Sequence, residues 1–247
     1  MLNAKEHPLV APDSYSHLLA GVLNALCGLF WTTAYCLYVR QAREDECYGM
    51  PLLALVLNLT WEMIYTFVYP LHGVGRFFHF PWVFIDGLLV IETLKHGWKE
   101  WQDTSPFIAE NFSTVVSMSV VLALSAQWTF ARQFSDSNAS FWSAYVCQNV
   151  LSWGSVWMVL SRGHVSGHSM PIWWCRFLGS LFANLRYLYR VHAWPQKYGF
   201  IAGAFSAWIL WMPCVADLFY PIAYHLVVGQ ELGTLDLGAH LANITLS

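Results

Sequence analysis

Two carboxylates fall inside segments apolar enough to cross a lipid bilayer. Glu62 lies in the run Met50–Tyr69 and Asp217 in the run Phe200–Val228. A charged acid near the bilayer centre costs at least about 2.5–3.5 kcal/mol on insertion scales, so each is a functional candidate by default. Removal from water favours the uncharged form of a carboxyl. Each acid is therefore expected to hold a proton that it can give up inside an apolar chamber.

The surroundings of each acid fit that use. Asn58, Glu62, Tyr65 and Tyr69 recur at helical spacing and share one face. Pro213, Asp217, Tyr220 and Tyr224 form a matching stripe. At about 1.5 Å per residue both acids sit within roughly 10 Å of the midplane, so both are expected to face one chamber. The competing reading is a polar clasp between helices, worth only about 0.6 kcal/mol per bond. Asp86 enters at a depth close to that of Glu62, whereas Glu92 lies nearer the opposite end, where it can pair with Lys95. Arg176 is expected either to pair with an acid or to hold an anionic or carbonyl group of a ligand, unless it snorkels to the interface. Gln148, Asn149, Asn184 and Arg186 add polar groups to the same two segments. Trp61, Trp153, Trp157, Trp208 and Trp211 lie away from the segment ends, where interfacial belts normally gather. They are read either as packing or as cavity walls whose ring faces stabilise a cation.

The elements that must position these groups follow from composition. Of 247 residues, 57% are hydrophobic, 17% aromatic and only 11% charged. Soluble domains carry about 25% charged residues. The expected fold is all-α: one integral membrane domain, 1–247, with seven transmembrane helices and short polar tails at 1–16 and 229–247. The expected spans are His17–Val39, Met50–Tyr69, Phe80–Leu94, Phe112–Phe130, Phe141–Leu160, Pro171–Tyr189 and Phe200–Val228. The first sixteen residues lack a basic n-region, so the first apolar segment is expected to serve as targeting signal and span together. Basic residues divide evenly between the two sides, which leaves orientation open. The net charge of −3 and the lack of a basic run exclude nucleic acid as a partner.

The six cysteines have no CxxC spacing and read as small buried hydrophobes. His164 and His168 fall in a Gly-rich segment that does not favour a metal site. No DDxxD or DxDD acid cluster is present, nor GxSxG, HExxH, a lysine in the seventh segment, DRY or NPxxY. No metal and no cofactor are expected. From the residues alone, a proton-coupled transporter or a receptor stands as the alternative to an enzyme.

The segment NLTWEMIYTFVYP, with Trp61-Glu62 followed by Tyr65, resembles the WExxY core of fungal integral-membrane terpene cyclases. These are the small seven-helix enzymes of meroterpenoid and indole-diterpene pathways, of the pyripyropene and paxilline type. YGM before the second segment, CQNVLSWGS, WCRFLGS, LRYLY and CVADLFY are similar as well, in matching order across nearly the whole chain. The resemblance implies metal-free cyclisation of a lipophilic aryl- or indole-linked polyprenyl substrate whose terminal alkene is already an epoxide. It implies Glu62 and Asp217 as the essential acids, a setting in the endoplasmic reticulum, and an upstream prenyltransferase and epoxidase. Beside these acids, Asn58, Trp61, Tyr65, Asp86, Trp153, Arg176, Tyr220 and Tyr224 are the expected substrate-binding residues.

Overall fold

Apolar segments of these lengths have no water to satisfy their backbone once in hydrocarbon, so each must close its own hydrogen bonds as a helix. A computed structural model describes residues 14–71, 75–134 and 136–233, and every regular element within them is helical. The long helices are α1 (Ser14–Glu44), α2 (Leu52–Met63), α3 (Gly75–His96), α4 (Phe112–Gln133), α5 (Asp136–Arg162), α6 (Met170–Ala193) and α7 (Ala204–Glu231). They stand where the apolar runs put them. The third is longer than its run, because Pro81 lies inside the helix rather than marking its start. Most of the two polar tails lies outside the described residues.

Among the described residues four helices can cross a membrane by length and composition: Tyr15–Glu44, Phe77–Trp101, Phe112–Gln133 and Ala204–Glu231. The α2 run Leu52–Val68 is apolar but shorter. Helices α5 and α6 are long but carry Gln148, Asn149, Arg176, Asn184 and Arg186 among their apolar residues. Of the seven expected spans, four meet these criteria.

The outer surface is greasy. Leu53, Phe84, Val121, Leu122, Trp157 and Ile222 are exposed, while Glu62, Asp86, Arg176, Asn184 and Asp217 are buried. That inversion is what a hydrocarbon solvent demands.

Two prolines lie inside α7, and the packing satisfies the carbonyls that both set free. A proline removes one helical hydrogen bond and frees the carbonyl four residues earlier. Pro213 frees Ile209, whose oxygen accepts a hydrogen bond from Asn149 Nδ2 at 2.9 Å. Pro221 frees Asp217, whose backbone oxygen accepts one from Trp173 Nε1 at 2.7 Å. Asn184 closes the same seam. It accepts from the Tyr145 hydroxyl at 2.6 Å and donates to the Leu210 carbonyl at 3.1 Å. Helices α5, α6 and α7 are thus joined by amide and indole groups that satisfy the carbonyls around the two prolines.

Close approach elsewhere needs glycine. A Cβ on Gly179 of α6 would lie 2.6 Å from the Trp31 ring of α1. In the loops, a Cβ on Gly49 would lie 1.7 Å from the Gly167 carbonyl oxygen, and Gly167 itself has a φ of +79°. The loop holding His164 and His168 is non-helical, as its glycines led one to expect.

Seven of the eight ion pairs among the described residues gather at one end of the bundle, on Glu44, Glu46, Glu92 and Glu100. Glu92 meets Arg43, Lys95 and His96 there, so it anchors that end. The eighth pair lies deep inside.

Candidate functional site

Immediately after Glu62, helix α2 loosens into a π turn, Ile64–Val68, closed by Tyr69 N–H donating to the Ile64 carbonyl at 2.8 Å. Such turns are frequent at functional sites because they re-aim neighbouring side chains. The stripe splits here. Asn58 and Glu62 face a cavity of about 480 Å³, together with Trp61. Tyr65 does not line it. Its hydroxyl lies 3.3 Å from Ser143 Oγ, which also accepts a hydrogen bond from Trp61 Nε1 at 3.0 Å. Tyr65 therefore braces the wall that holds Trp61.

The cavity is walled by α1, α2, α3, α5 and α6, with Pro213 reaching it from α7. Trp31, Tyr35, Phe78, Trp82 and Tyr145 supply ring surface. Tyr35 meets Trp82 edge-on at 5.9 Å, and His79 meets Trp61 edge-on at 5.4 Å. Trp82 is fixed by donating its indole N–H to Thr32 Oγ1 of α1 at 2.8 Å.

The polar neighbours of Glu62 are the Tyr35 hydroxyl and the Asp86 carboxyl. Asp86 is fully buried and does not line the cavity, so it backs Glu62 from behind the wall. Among the described residues, no hydrogen bond of good geometry reaches Glu62 Oε2 or either oxygen of Asp86, and neither acid joins an ion pair.

Asp217 sits in a different setting, which corrects the expectation of one shared chamber. It does not line the cavity. Arg176 Nη2 donates to Asp217 Oδ1 at 2.8 Å, and Arg176 Nη1 donates to Tyr38 at 2.9 Å and to Ser155 at 2.6 Å. The guanidinium lies 5.2 Å from the ring centre of Tyr220, whose hydroxyl is 3.0 Å from His168 Nδ1. Arg176 thus takes the first of its two expected roles, pairing with an acid. Tyr220 belongs to this buried network, and Tyr224 packs beside it with ring centres 6.1 Å apart. Neither lines the cavity; of the α7 stripe, only Pro213 does.

Trp153 is a second correction. It is 40% exposed on the outer face beside Phe219, and Trp157 is 73% exposed. A tryptophan away from a segment end need not point inward when the surrounding solvent is hydrocarbon. Trp208 and Trp211 are exposed too.

Tyr35, His79 and Tyr145 escaped sequence reasoning. Tyr35 and Tyr145 carry no charge to mark them within apolar runs, and His79 falls one residue before the expected third span. Arg186 and Asn184 were visible as polar residues in the sixth segment, but nothing in their spacing tied them to Glu62. His164 and His168 do not converge: His164 faces Glu100 at 3.3 Å and His168 faces Tyr220. All six cysteines are free; four are buried, while Cys36 is exposed and Cys175 half-buried.

With this geometry in hand, comparison with known proteins is decisive. Residues 8–230 match the family model of Pyr4-like transmembrane terpene cyclases. The chain belongs to this family. It is 36% identical over 198 residues to the Pyr4-family terpene cyclase mfmH of Annulohypoxylon moriforme, covering 80% of this chain and 81% of that one. It is 30% identical over 221 residues to terpene cyclase macJ of Penicillium terrestre, covering 86% and 84%. It is 31% identical over 233 residues to terpene cyclase ptmB of Penicillium ochrochloron, covering 90% and 92%. No solved structure matches the chain. As a transmembrane terpene cyclase, it is an integral membrane enzyme, and its substrate is lipophilic.

Proposed function

We propose that this cyclase protonates the terminal epoxide of an aryl- or indole-linked polyprenyl substrate and folds the chain through carbocations, without a metal. The observation that carries this reading is Glu62 on an aromatic cavity wall, with Asp86 behind it and, among the described residues, no cation paired to either. Two carboxyls this close and this dry are most cheaply held with a proton between them. Glu62 presents that proton. It passes to the epoxide oxygen while the bond from that oxygen to the more substituted carbon breaks. Alkene electrons then close the rings, and the last cation loses a proton, so product and substrate are isomers. The His79 imidazole, on the same wall, supplies a base for that loss. Ring faces of Trp31, Trp61 and Trp82 favour each cation and exclude water.

In this reading Asp217 is a positioning residue. Its ion pair holds Arg176 against Tyr38 and Ser155 and fixes α1, α5, α6 and α7 around the cavity. All seven long helices cross the membrane as one domain, in the endoplasmic reticulum, downstream of a prenyltransferase and an epoxidase. The cyclic product needs no redox cofactor here, because the epoxide already carries the oxidation.

The test is a matched pair of substrates, one with the terminal epoxide and one with the alkene, incubated with the same membranes. The epoxide is expected to cyclise and the alkene to remain. An alkene is a much poorer base than a strained epoxide oxygen. Equal conversion of both would overturn epoxide opening, and conversion of neither would place the substrate outside the epoxyprenyl class.

A further inference from the structure

The two ends of the bundle differ in how their cations are used. At the α1 C-terminal end, basic side chains meet Glu44, Glu46, Glu92 and Glu100. At the other end, Arg186, Arg190 and Lys197 all line the cavity, yet none forms an ion pair among the described residues. They are not scattered surface charges. Arg186 lies 4.7 Å from the ring centre of Tyr187 and donates to Asn24 of α1. Arg190 lies between Tyr187 and Tyr198, at 5.9 and 5.2 Å, and Lys197 lies 5.5 Å from the Tyr198 ring. Arg186 Nε is shielded from solvent and has no partner among the described residues.

Aromatic rings and like charges gather on one wall, and among the described residues no carboxylate pairs with these three cations. Proteins tolerate that arrangement where an anion completes it. The cavity therefore has polarity along its length: an acid and indole rings around Glu62, and guanidinium and ammonium groups near Tyr198. A molecule that fits both ends has an apolar tail and an anionic head.

We infer that Arg186, Arg190 and Lys197 form a head-group site that selects prenylated substrates bearing an ionised acid, a carboxylate on the aromatic head group. The inference rests on the cyclase reading for what lies at the other end of the ligand, but the charge selectivity stands on these three residues. Guanidinium groups clamp a carboxylate through paired hydrogen bonds, and this fixes which end of the substrate enters first. The tail then reaches Glu62. A lipid phosphate offers the same chemistry at a membrane surface, but Arg186 and Arg190 are half-buried on the wall of the cavity that Glu62 also lines, and of the three only Lys197 is exposed.

The test uses the full-length protein in maltoside micelles. The probes are a farnesylated and a geranylgeranylated dihydroxybenzoate with terminal epoxides, each as the free acid and as the methyl ester. Binding is read by quenching of tryptophan fluorescence, and turnover by product analysis. The acid is expected to bind at least about tenfold more tightly than the ester, a difference of about 1.4 kcal/mol. In Arg190→Gln and Lys197→Gln the acid-over-ester ratio is expected to fall towards one, through KM rather than kcat. Arg190→Lys should recover part of the ratio in the first case. Equal binding of acid and ester by the wild-type protein overturns the inference and, if both cyclise, leaves the cyclase reading intact. Acid-selective binding without cyclisation supports the inference and removes the epoxide-opening reading. Added phosphatidylglycerol that displaces the acid at equal concentration, with the variants losing lipid binding, reassigns the site to lipid phosphate and overturns the inference.

Discussion

Glu62 and Asp217 look alike in the sequence and differ in what surrounds them. Each is an acid in an apolar run, four residues after a polar or kinking residue. Only three-dimensional neighbours separate them: Asp86 and Tyr35 around Glu62, Arg176 around Asp217. The partners come from other helices, so no spacing rule reports them. This contrast predicts two different failures. Glu62→Gln keeps the size of the side chain and breaks no ion pair, so the protein is expected to accumulate and melt as the wild type does while product formation is lost. Asp217→Asn leaves a buried guanidinium unpaired, which costs about 3–5 kcal/mol. Its activity should fall together with folded yield and Tm in detergent. Measuring product and melting on the same preparations separates the cases, and a stable but inactive Asp217→Asn protein would argue that Asp217 handles the proton. His79→Gln is expected to keep substrate consumption and to shift the product mixture, which chromatography of the terpenoid fraction would reveal.

At the scale of elements, the apolar runs gave the helices and their order, because composition alone forces helical backbone in hydrocarbon. Their ends and joints were less legible. The YGM stretch matters for a reason no propensity shows: Gly49 lies against the backbone of Gly167 across two loops. Gly49→Ala puts a methyl into that carbonyl, so it is expected to lower folded yield severely, whereas Gly21→Ala, with open space around it, should not. Expression and size-exclusion profiles of the two variants make the comparison. The same loop carries a pH dependence. Burial holds the His168 imidazole well below its usual range, and Arg162, Arg176 and His164 add to the effect. The unfolded chain takes up this proton first, near pH 6.5. Stability is therefore full above about pH 7.5 and declines as pH falls below roughly 6.5. Melting temperatures at pH 7.5 and 5.5 should differ in the wild type and differ less in His168→Gln.

The whole molecule is a greasy exterior around a polar, aromatic interior, and this explains which aromatic residues were misread. Counting tryptophans away from segment ends does not say which way they point, because lipid accepts a ring as readily as a cavity does. Trp61 and Trp82 point inward and are pinned by hydrogen bonds to Ser143 and Thr32. Trp153 and Trp157 point outward, exposed at 40% and 73%. A ring that faces lipid exchanges one apolar contact for another when replaced by leucine. A ring that faces a developing cation loses a favourable electrostatic contact of about 0.5–2 kcal/mol and also reshapes the wall. Trp153→Leu is accordingly expected to turn over substrate at close to the wild-type rate, and Trp61→Leu or Trp82→Leu to lose about tenfold or more in kcat/KM. Initial rates in microsomes normalised to protein content decide the matter. A large loss in Trp153→Leu with unchanged Tm would place a second substrate-contacting surface on the outer face of α5. Equal, small losses in all three would mean that the aromatic walls shape the cavity without stabilising charge.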